Sequence, residues 1–518
     1  MSDEIPSEPE LKPASENPWY VLMTVAGEQT DGNSVSFDKE LHVRNRRYWS
    51  GWIAEHLSKE EKSFLLDEEI ISNEDIAPLN QSELDDVREA LIDRLGSVPD
   101  GVFGEVSGMF RENRFTEKLI CDGFVFPCSV YFDKALFEKY FRFHDAVFLS
   151  SADFRRANFR SYAEFWRTRF LGGKGSGYCA LFREARFDGP VHFLRTTFSG
   201  RTAFDHALFT GKDLLEQSAD FSEAKFLGGA DFDETEFRNI ANFKQAEFRG
   251  YADYFNAQFN RTVEFSLAIF GMEADFEGAR FGRNADFHGS TFSGQSRFQN
   301  AIFSATTTFK GVVFEGTEAK PPEFYDAHLH EDTNWEDINT WPQPKSGQDT
   351  KEFIRAYERL KLLMDTQGKV SSALMFQRQE LRSRESENPG SINSYALRMF
   401  RCFSEYGWSI KRTAVGLFVC TLFGWMAIFL SQALTYGRER VCQVVDGRVE
   451  PGHLELAISI KLAVSNIFGV LGFNQTFMHD KLACLTPFSE TVSMVQGVLG
   501  LILFFLLGLA LRNRFRIK

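Results

Sequence analysis

The sequence predicts a mainly β protein: a long coil of very short strands, with an α-rich cap before it and a helical hairpin and two transmembrane helices after it. Three observations carry this. Phe is the anomaly of the composition, 55 of 518 residues. The aromatics in the middle of the chain recur on a fixed ruler, and a repeat with a constant period decides a fold before other signals do. Two long stretches near the C-terminus carry no charge.

From Phe221 the ruler runs through Phe226, Phe232, Phe237, Phe243, Phe248, Tyr254, Phe259, Phe265, Phe270, Phe276, Phe281, Phe287 and Phe292, and on to Phe314, in steps alternating between five and six residues. A small residue stands two positions before most of them, as Ala219, Ala224, Ala230 and Ala241 do, with a polar residue such as Asp220, Asp231 or Asn242 between. Upstream the ruler reaches back to Phe126, and faintly to Phe110, with one-residue slips at 170–182 and 209–221, where an aromatic reads as missing. A helical supercoil is the rival source of an eleven-residue period. It fails because a five-residue step turns a helix by about 140°, which takes the two Phe of a unit off a common stripe. Gly228, Gly229, Gly250, Gly271 and Gly278 would also each cost a helix about 1 kcal/mol. Short strands joined by tight turns satisfy the pattern: Phe and the small residue point inward, and the polar residue between them points out.

The runs A-D-F-S-E-A-K-F (219–226) and A-D-F-E-G-A-R-F (274–281) resemble the pentapeptide-repeat family, whose motif is A(D/N)(L/F)xx. The likeness extends over about 200 residues, and the C-terminal stretches with their closing run L-A-L-R-N-R-F-R-I-K (509–518) also resemble the membrane tails of bacterial membrane-anchored members with C-terminal transmembrane helices. It implies a right-handed quadrilateral β-helix of four faces per coil. Here one extra residue in alternate units gives 22 residues per coil instead of 20. About nine coils at about 4.8 Å each make a rod roughly 45 Å long. Phe324, Leu329 and Trp335 read as a last partial coil. Some members act on DNA gyrase by mimicking DNA, which requires a polyanionic rod. Residues 110–201 carry 16 basic and 10 acidic residues and 202–316 carry 10 and 17, so the rod is dipolar and the mimic is the weakest reading.

Five regions follow: a disordered acidic tail at 1–18, an α-rich capping domain at 19–109, the β-helix at 110–340, a linker and helical hairpin at 341–395, and a membrane domain at 396–518. Residues 1–109 hold 24 acidic against 9 basic residues. Leu41, Tyr48, Trp49, Trp52, Leu57, Phe64 and Leu65 form the expected buried set of the cap, and 81–95 reads as an amphipathic helix. The cluster Arg44-Asn45-Arg46-Arg47 is read as pairing with its acidic surroundings. The open end of a solenoid must be covered, so capping the first coil is the expected work of this domain. In the hairpin, Phe353, Ile354, Tyr357, Leu360 and Met364 make one apolar face and Ala373, Leu374 and Leu381 the next, with Gly368 placed to end the first helix.

The spans are expected at 413–436 and 491–511, each long enough to cross a bilayer. Lys411 and Arg412 precede the first, and Arg512, Arg514, Arg516 and Lys518 follow the second, so both flanks of a multi-pass chain are expected in the cytoplasm, and the resemblance to bacterial members implies the inner membrane of a bacterium. The basic C-terminus is expected to touch anionic lipid. The connection between the spans holds Cys442 and Cys484, which an oxidising compartment could join. Its apolar stretch 454–473 is interrupted by Glu455 and Lys461 and reads as a re-entrant or interfacial segment.

No nucleophile elbow, phosphate loop, HExxH or paired-cysteine metal motif occurs, and His328 with His330 is an isolated HxH. The sequence therefore points to no catalytic residue, no metal and no cofactor. The net charge of −14 argues against a nucleic-acid ligand. The leading expectation is a non-catalytic scaffold that binds an unknown protein partner on the β-helix surface, anchored among membrane lipids. The alternative is a channel-like or mechanosensing homo-oligomer, because two spans cannot enclose a pore in one chain.

Overall fold

The computed structural model describes residues 11–30, 36–68, 70–73, 75–99, 108–172, 177–211, 217–315, 320–335, 341–345, 349–435, 442–445, 448–451, 456–468 and 487–515. They form two compact units, Met1–Gln343 and Pro344–Lys518.

The first unit is a solenoid of about nine turns. Its strands are mostly two residues long, and each pairs in parallel with the strand one turn later, as Ala230 does with Ala252 and Ala252 with Ala274. Four sheets result. In one coil, face I holds Ala230–Asp231, face II Glu236–Phe237, face III Ile240–Asn242 and face IV Glu247–Phe248. Face II has ten strands and the others nine.

The alternating step of the ruler has a local cause. The corner from face I to II is a tight turn in which Thr235 N–H donates to Phe232 O (3.1 Å) and Glu234 adopts φ 50°. The corner from III to IV repeats it at Phe243–Ala246, with Gln245 at φ 57°. Positive φ in the third of four residues is the geometry of a type II turn. These corners take the five-residue steps. The corners from II to III and from IV to I are wider and absorb the sixth residue. At one wide corner the backbones nearly touch: a Cβ on Gly250 would lie 2.4 Å from Gly228 O, so glycine is required there.

The apparent slips are corrected by the pairing. Phe182 stacks on Phe154 at 4.9 Å and Phe221 on Phe193 at 4.8 Å, with Ala152 opposite Ala180 and Val191 opposite Ala219. No rung is missing. Six residues are inserted at a single wide corner in each case, between Phe170 and Phe182 and between Phe209 and Phe221.

The core is four columns of stacked rings. Phe232, Tyr254 and Phe276 succeed one another at 4.8 and 5.0 Å, each pair within 2° of parallel. Columns meet edge to face across the interior, as Phe221 and Phe232 do at 5.5 Å and 90°. Ala219, Ala230 and Ala241 are fully buried beside them.

Both ends of the columns are covered within the unit. Lys12–Pro13 adds a strand to face II against Asn113–Arg114. Helices α1 (Pro18–Met23), α2 (Lys39–Ile53), α3 (Lys59–Asp67) and α4 (Gln81–Leu95) precede the first coil. Tyr20 of α1 meets Phe115 edge on at 5.6 Å. Trp49 of α2 stacks on Phe124 at 5.7 Å and donates from Nε1 to Val125 O at 2.8 Å. Arg46 pairs with Asp75 (3.2 Å) and Arg47 with Glu83 (2.9 Å). Phe64, expected in the core, is exposed on α3, where only Leu65 is buried. At the far end Phe324 stacks on Phe298 (4.7 Å) and Trp335 on Phe309 (4.8 Å), and Trp341 closes the fourth column against Phe314 (5.0 Å).

The second unit is helical. Helices α5 (Thr350–Thr366) and α6 (Val370–Glu387) turn at Gly368, φ 71°, and bury Phe353, Tyr357, Leu360, Ala373 and Phe376. Helix α7 (Ile392–Ser404), which the sequence reading did not single out, follows and exposes Ile392, Tyr395 and Met399. Helix α10 (Pro487–Phe515) encloses the second expected span and α8 (Ile410–Thr435) covers the first up to Thr435, and α9 (Leu456–Ile467) packs on both. Two helical segments, Ile410–Ser431 in α8 and Pro487–Phe515, are long and apolar enough to cross a membrane. Phe418, Leu434 and Phe505 are 68%, 76% and 69% exposed, so much of the apolar surface of this unit is left for something outside it to cover.

Candidate interaction surface

The repeat decides which side chains reach the surface. On faces I and III the outward position lies between the small residue and the Phe, and Asp or Asn stands there for a local reason. Its Oδ1 accepts the backbone N–H two residues on and so shapes the corner, an Asx turn. Asp231 accepts from Asp233 (3.1 Å), Asp253 from Phe255 (3.0 Å) and Asp275 from Glu277 (2.8 Å). Asn242 accepts from Lys244 (3.0 Å) with the same geometry and no charge. The turn therefore needs the oxygen, and a carboxylate's charge is surplus to it.

On face I that surplus accumulates. Asp231, Asp253 and Asp275 occupy three successive rungs. Burial, and then the neighbouring carboxylates, push Asp253 up to about 6 and raise Asp231 above the usual carboxylate range. Arg297 answers the last rung, 3.4 Å from Asp275. Other faces carry charges that are paired locally: Arg167 with Asp145 (2.7 Å), Arg195 with Glu223 (2.8 Å) and Arg249 with Glu247 (2.6 Å).

The same stretch of the rod exposes large apolar groups. Leu267, Ile269 and Met272 run from the III–IV corner across face IV to the IV–I corner of one coil, 47%, 47% and 57% exposed, and Phe255, at the I–II corner of the same coil, is 38% exposed. Leu267 also holds φ 59°, a conformation that its side chain disfavours. An exposed apolar run on face IV, ending at the corner next to the face I carboxylates, is what marks these coils.

One further polar cluster lies on face III. Glu164 accepts from Tyr140 Oη (2.5 Å) and from His144 Nε2 (2.7 Å), with His192 Nδ1 3.9 Å from its other oxygen. Burial alone would raise the Glu164 carboxyl, but these hydrogen bonds hold it below its ordinary value. Its oxygens are satisfied, so the cluster ties three coils together. Among the described residues no three His, Cys, Asp or Glu side chains are placed to share a metal ion. His330 Nδ1 accepts from Asp332 N–H at 3.1 Å.

The Phe residues named from the ruler, Phe221 to Phe248 and Phe276 to Phe292, are fully buried in the columns. Cys484, Arg516 and Lys518 lie outside the described residues; for Cys442 the backbone alone is described, in strand Cys442–Val445 of a two-stranded hairpin with Arg448–Pro451, so the cysteine pairing also falls outside them. Lys411, Arg412, Arg512 and Arg514 lie at one level of the second unit, because Asn513 Nδ2 donates to Gly407 O (3.0 Å) and Thr413 Oγ1 to Phe403 O (3.1 Å).

Compared with known families, residues 221–269, 243–291 and 265–313 match a family model described as pentapeptide repeats (9 copies). Residues 221–313 of the solenoid are built of pentapeptide repeats. No curated protein matches the chain, and no solved structure does. The pentapeptide-repeat assignment accounts for the Phe columns and for the Asp or Asn in each turn. The exposed Leu267, Ile269 and Met272 along face IV, and Phe255 at the diagonally opposite corner, depart from it, since the repeat itself asks for no large apolar residue on the outside. The sequence reading passed over these four because they share no spacing with the ruler.

Proposed function

We propose that the chain is a non-catalytic, membrane-anchored scaffold whose pentapeptide-repeat solenoid docks a protein partner on the coils around Asp253 and Ile269. The observation that carries this is the exposed run Leu267, Ile269 and Met272, which crosses face IV and ends at the corner that leads into Asp275 of the face I carboxylate column. A partner with a small apolar patch rimmed by Lys or Arg fits that chemistry. The apolar flanks of α8 and α10 support an anchor of two spans. Lys411, Arg412, Arg512 and Arg514 at one end of them favour a cytoplasmic side for that end, in a bacterial inner membrane. The test compares wild type with Ile269→Asp/Met272→Asp in carbonate-washed membranes. A partner should co-purify with the wild-type chain and be lost from the variant, while both chains stay in the membrane. If no associated protein depends on the patch, the docking reading fails.

A second reading is an oligomeric channel-like protein. It is favoured by α9, whose 12 residues extend about 18 Å and so cannot span a bilayer core of about 30 Å. Its Asn466 Nδ2 donates to Gln496 Oε1 (3.0 Å), and Gln496 Nε2 donates to Ala463 O (3.0 Å). Polar side chains at that depth are a mark of function in membranes. A tetramer or larger assembly of the full-length protein supports it, and a monomer or dimer removes it.

A further inference from the structure

We propose that the helical unit holds one anionic glycerophospholipid of the surrounding bilayer at a defined site, with an acyl chain in the groove bounded by α7, α8 and α10. This rests on the reading that α8 and α10 lie in a membrane. The groove has a volume of about 720 Å³. Its walls are apolar: Met399 and Phe403 from α7, Val419 and Phe423 from α8, Val495 and Ile502 from α10. It extends along α10 from Thr491 to Leu506, about 22 Å at the helical rise per residue. That exceeds one leaflet, about half of a 30 Å hydrocarbon core, and suits a single extended chain. Val495 is 53% exposed on its wall, so the groove is open to the side from which lipid would enter.

The mouth supplies the headgroup chemistry. Helix α7 crosses the end of the groove at the level where Thr413 bonds Phe403 O and Asn513 bonds Gly407 O. Of the cations at that level, Arg398 and Arg401 are drawn to Glu385, at 3.6 and 3.1 Å, and Arg412 lies 3.8 Å from Glu405. Lys411, Arg512 and Arg514 meet no carboxylate among the described residues, and that surplus of positive charge suits a lipid phosphate. The apolar face of α7, with Ile392 86% and Tyr395 56% exposed, continues the lipid-facing surface of the spans, as an interfacial helix does.

The test is native mass spectrometry of the full-length protein in mild detergent, titrated with phosphatidylglycerol or phosphatidylcholine. One phosphatidylglycerol per chain should be retained, at about tenfold lower concentration than phosphatidylcholine. Val495→Trp fills the groove and should weaken retention about tenfold, while Val498→Trp, on the same helix away from the groove, should not. Lys411→Gln/Arg512→Gln/Arg514→Gln should bring the two lipids to equal affinity. Should Val495→Trp not fold, Val419→Phe narrows the groove from the opposite wall. Several weak adducts, alike for both lipids and indifferent to these variants, would overturn the proposal. So would a dimer mass without lipid, which would give the groove to a second copy. If the chain does not stay with carbonate-washed membranes, the anchor reading itself fails; if it stays there and retains no phosphatidylglycerol in detergent, only the lipid site does.

Discussion

Asp253→Asn removes one charge from the face I column and keeps the atom that the turn uses. The amide Oδ1 can still accept from Phe255 N–H, as Asn242 accepts from Lys244 on the opposite face III. The Asp253 carboxyl is pushed up to about 6 from 3.8, by burial first and then by Asp231 and Asp275. A raised carboxyl binds its proton more tightly in the folded state, so stability is gained as the pH falls through 6 toward 3.8 and is absent at neutral pH. Two pH units correspond to about 3 kcal/mol at full strength. Asp253 is only partly buried, and solvent screening brings this to about 1 kcal/mol. The variant should therefore be more stable at pH 7.5 by about 1 kcal/mol, a shift of roughly half a molar in the urea midpoint. Pulse-labelling hydrogen exchange of peptides within 243–281 reads that midpoint locally, which suits a solenoid whose coils open separately. The wild type should gain stability between pH 7.5 and 5, and the variant should gain less. An Asp253→Asn protein that is less stable than wild type at pH 7.5, or equally pH-dependent, would refute the reasoning.

Three other perturbations have defined outcomes. Among the described residues Tyr254 is the one non-Phe ring in its column and its buried hydroxyl has no hydrogen-bond partner, so Tyr254→Phe should raise the urea midpoint of its coil by the equivalent of about 1 kcal/mol. Gly250→Ala sets a Cβ 2.4 Å from Gly228 O and should destabilise the neighbouring coils by about 1–3 kcal/mol in the same assay. Trp49→Ala uncovers Phe124 and Phe126 and leaves Val125 O without its donor; it should cost about 3–5 kcal/mol and raise exchange first in residues 108–131.

Much of the solenoid was legible because its period is enforced by contact. Each ring must sit on the ring one coil away, so Phe221, Phe243 and Phe265 recur at a fixed interval in the sequence. Insertions in corners break the interval without breaking the stack, and so the stretches after Phe170 and Phe209 misread as slips. Trp341 was not anticipated because its column partner, Phe314, is 27 residues away across a lengthened final coil. Helix α7 escaped notice because its apolar residues alternate with Arg398 and Arg401, and only folding shows Glu385 reaching 3.1 Å from Arg401. The interaction surface was illegible for a different reason. Exposure at Leu267, Ile269 and Met272 is a property of three positions in one coil, and no repeat marks it.

The measurement that tests the central claim most directly is site-specific photocrosslinking in intact cells, with the crosslinker at Ile269 or Met272 and, as a control, at Gln258 or Arg280 on face II. A discrete higher-mass adduct is expected from Ile269 and Met272 and none from face II. No adduct at any of the four positions, or equal adducts from both faces, would contradict it.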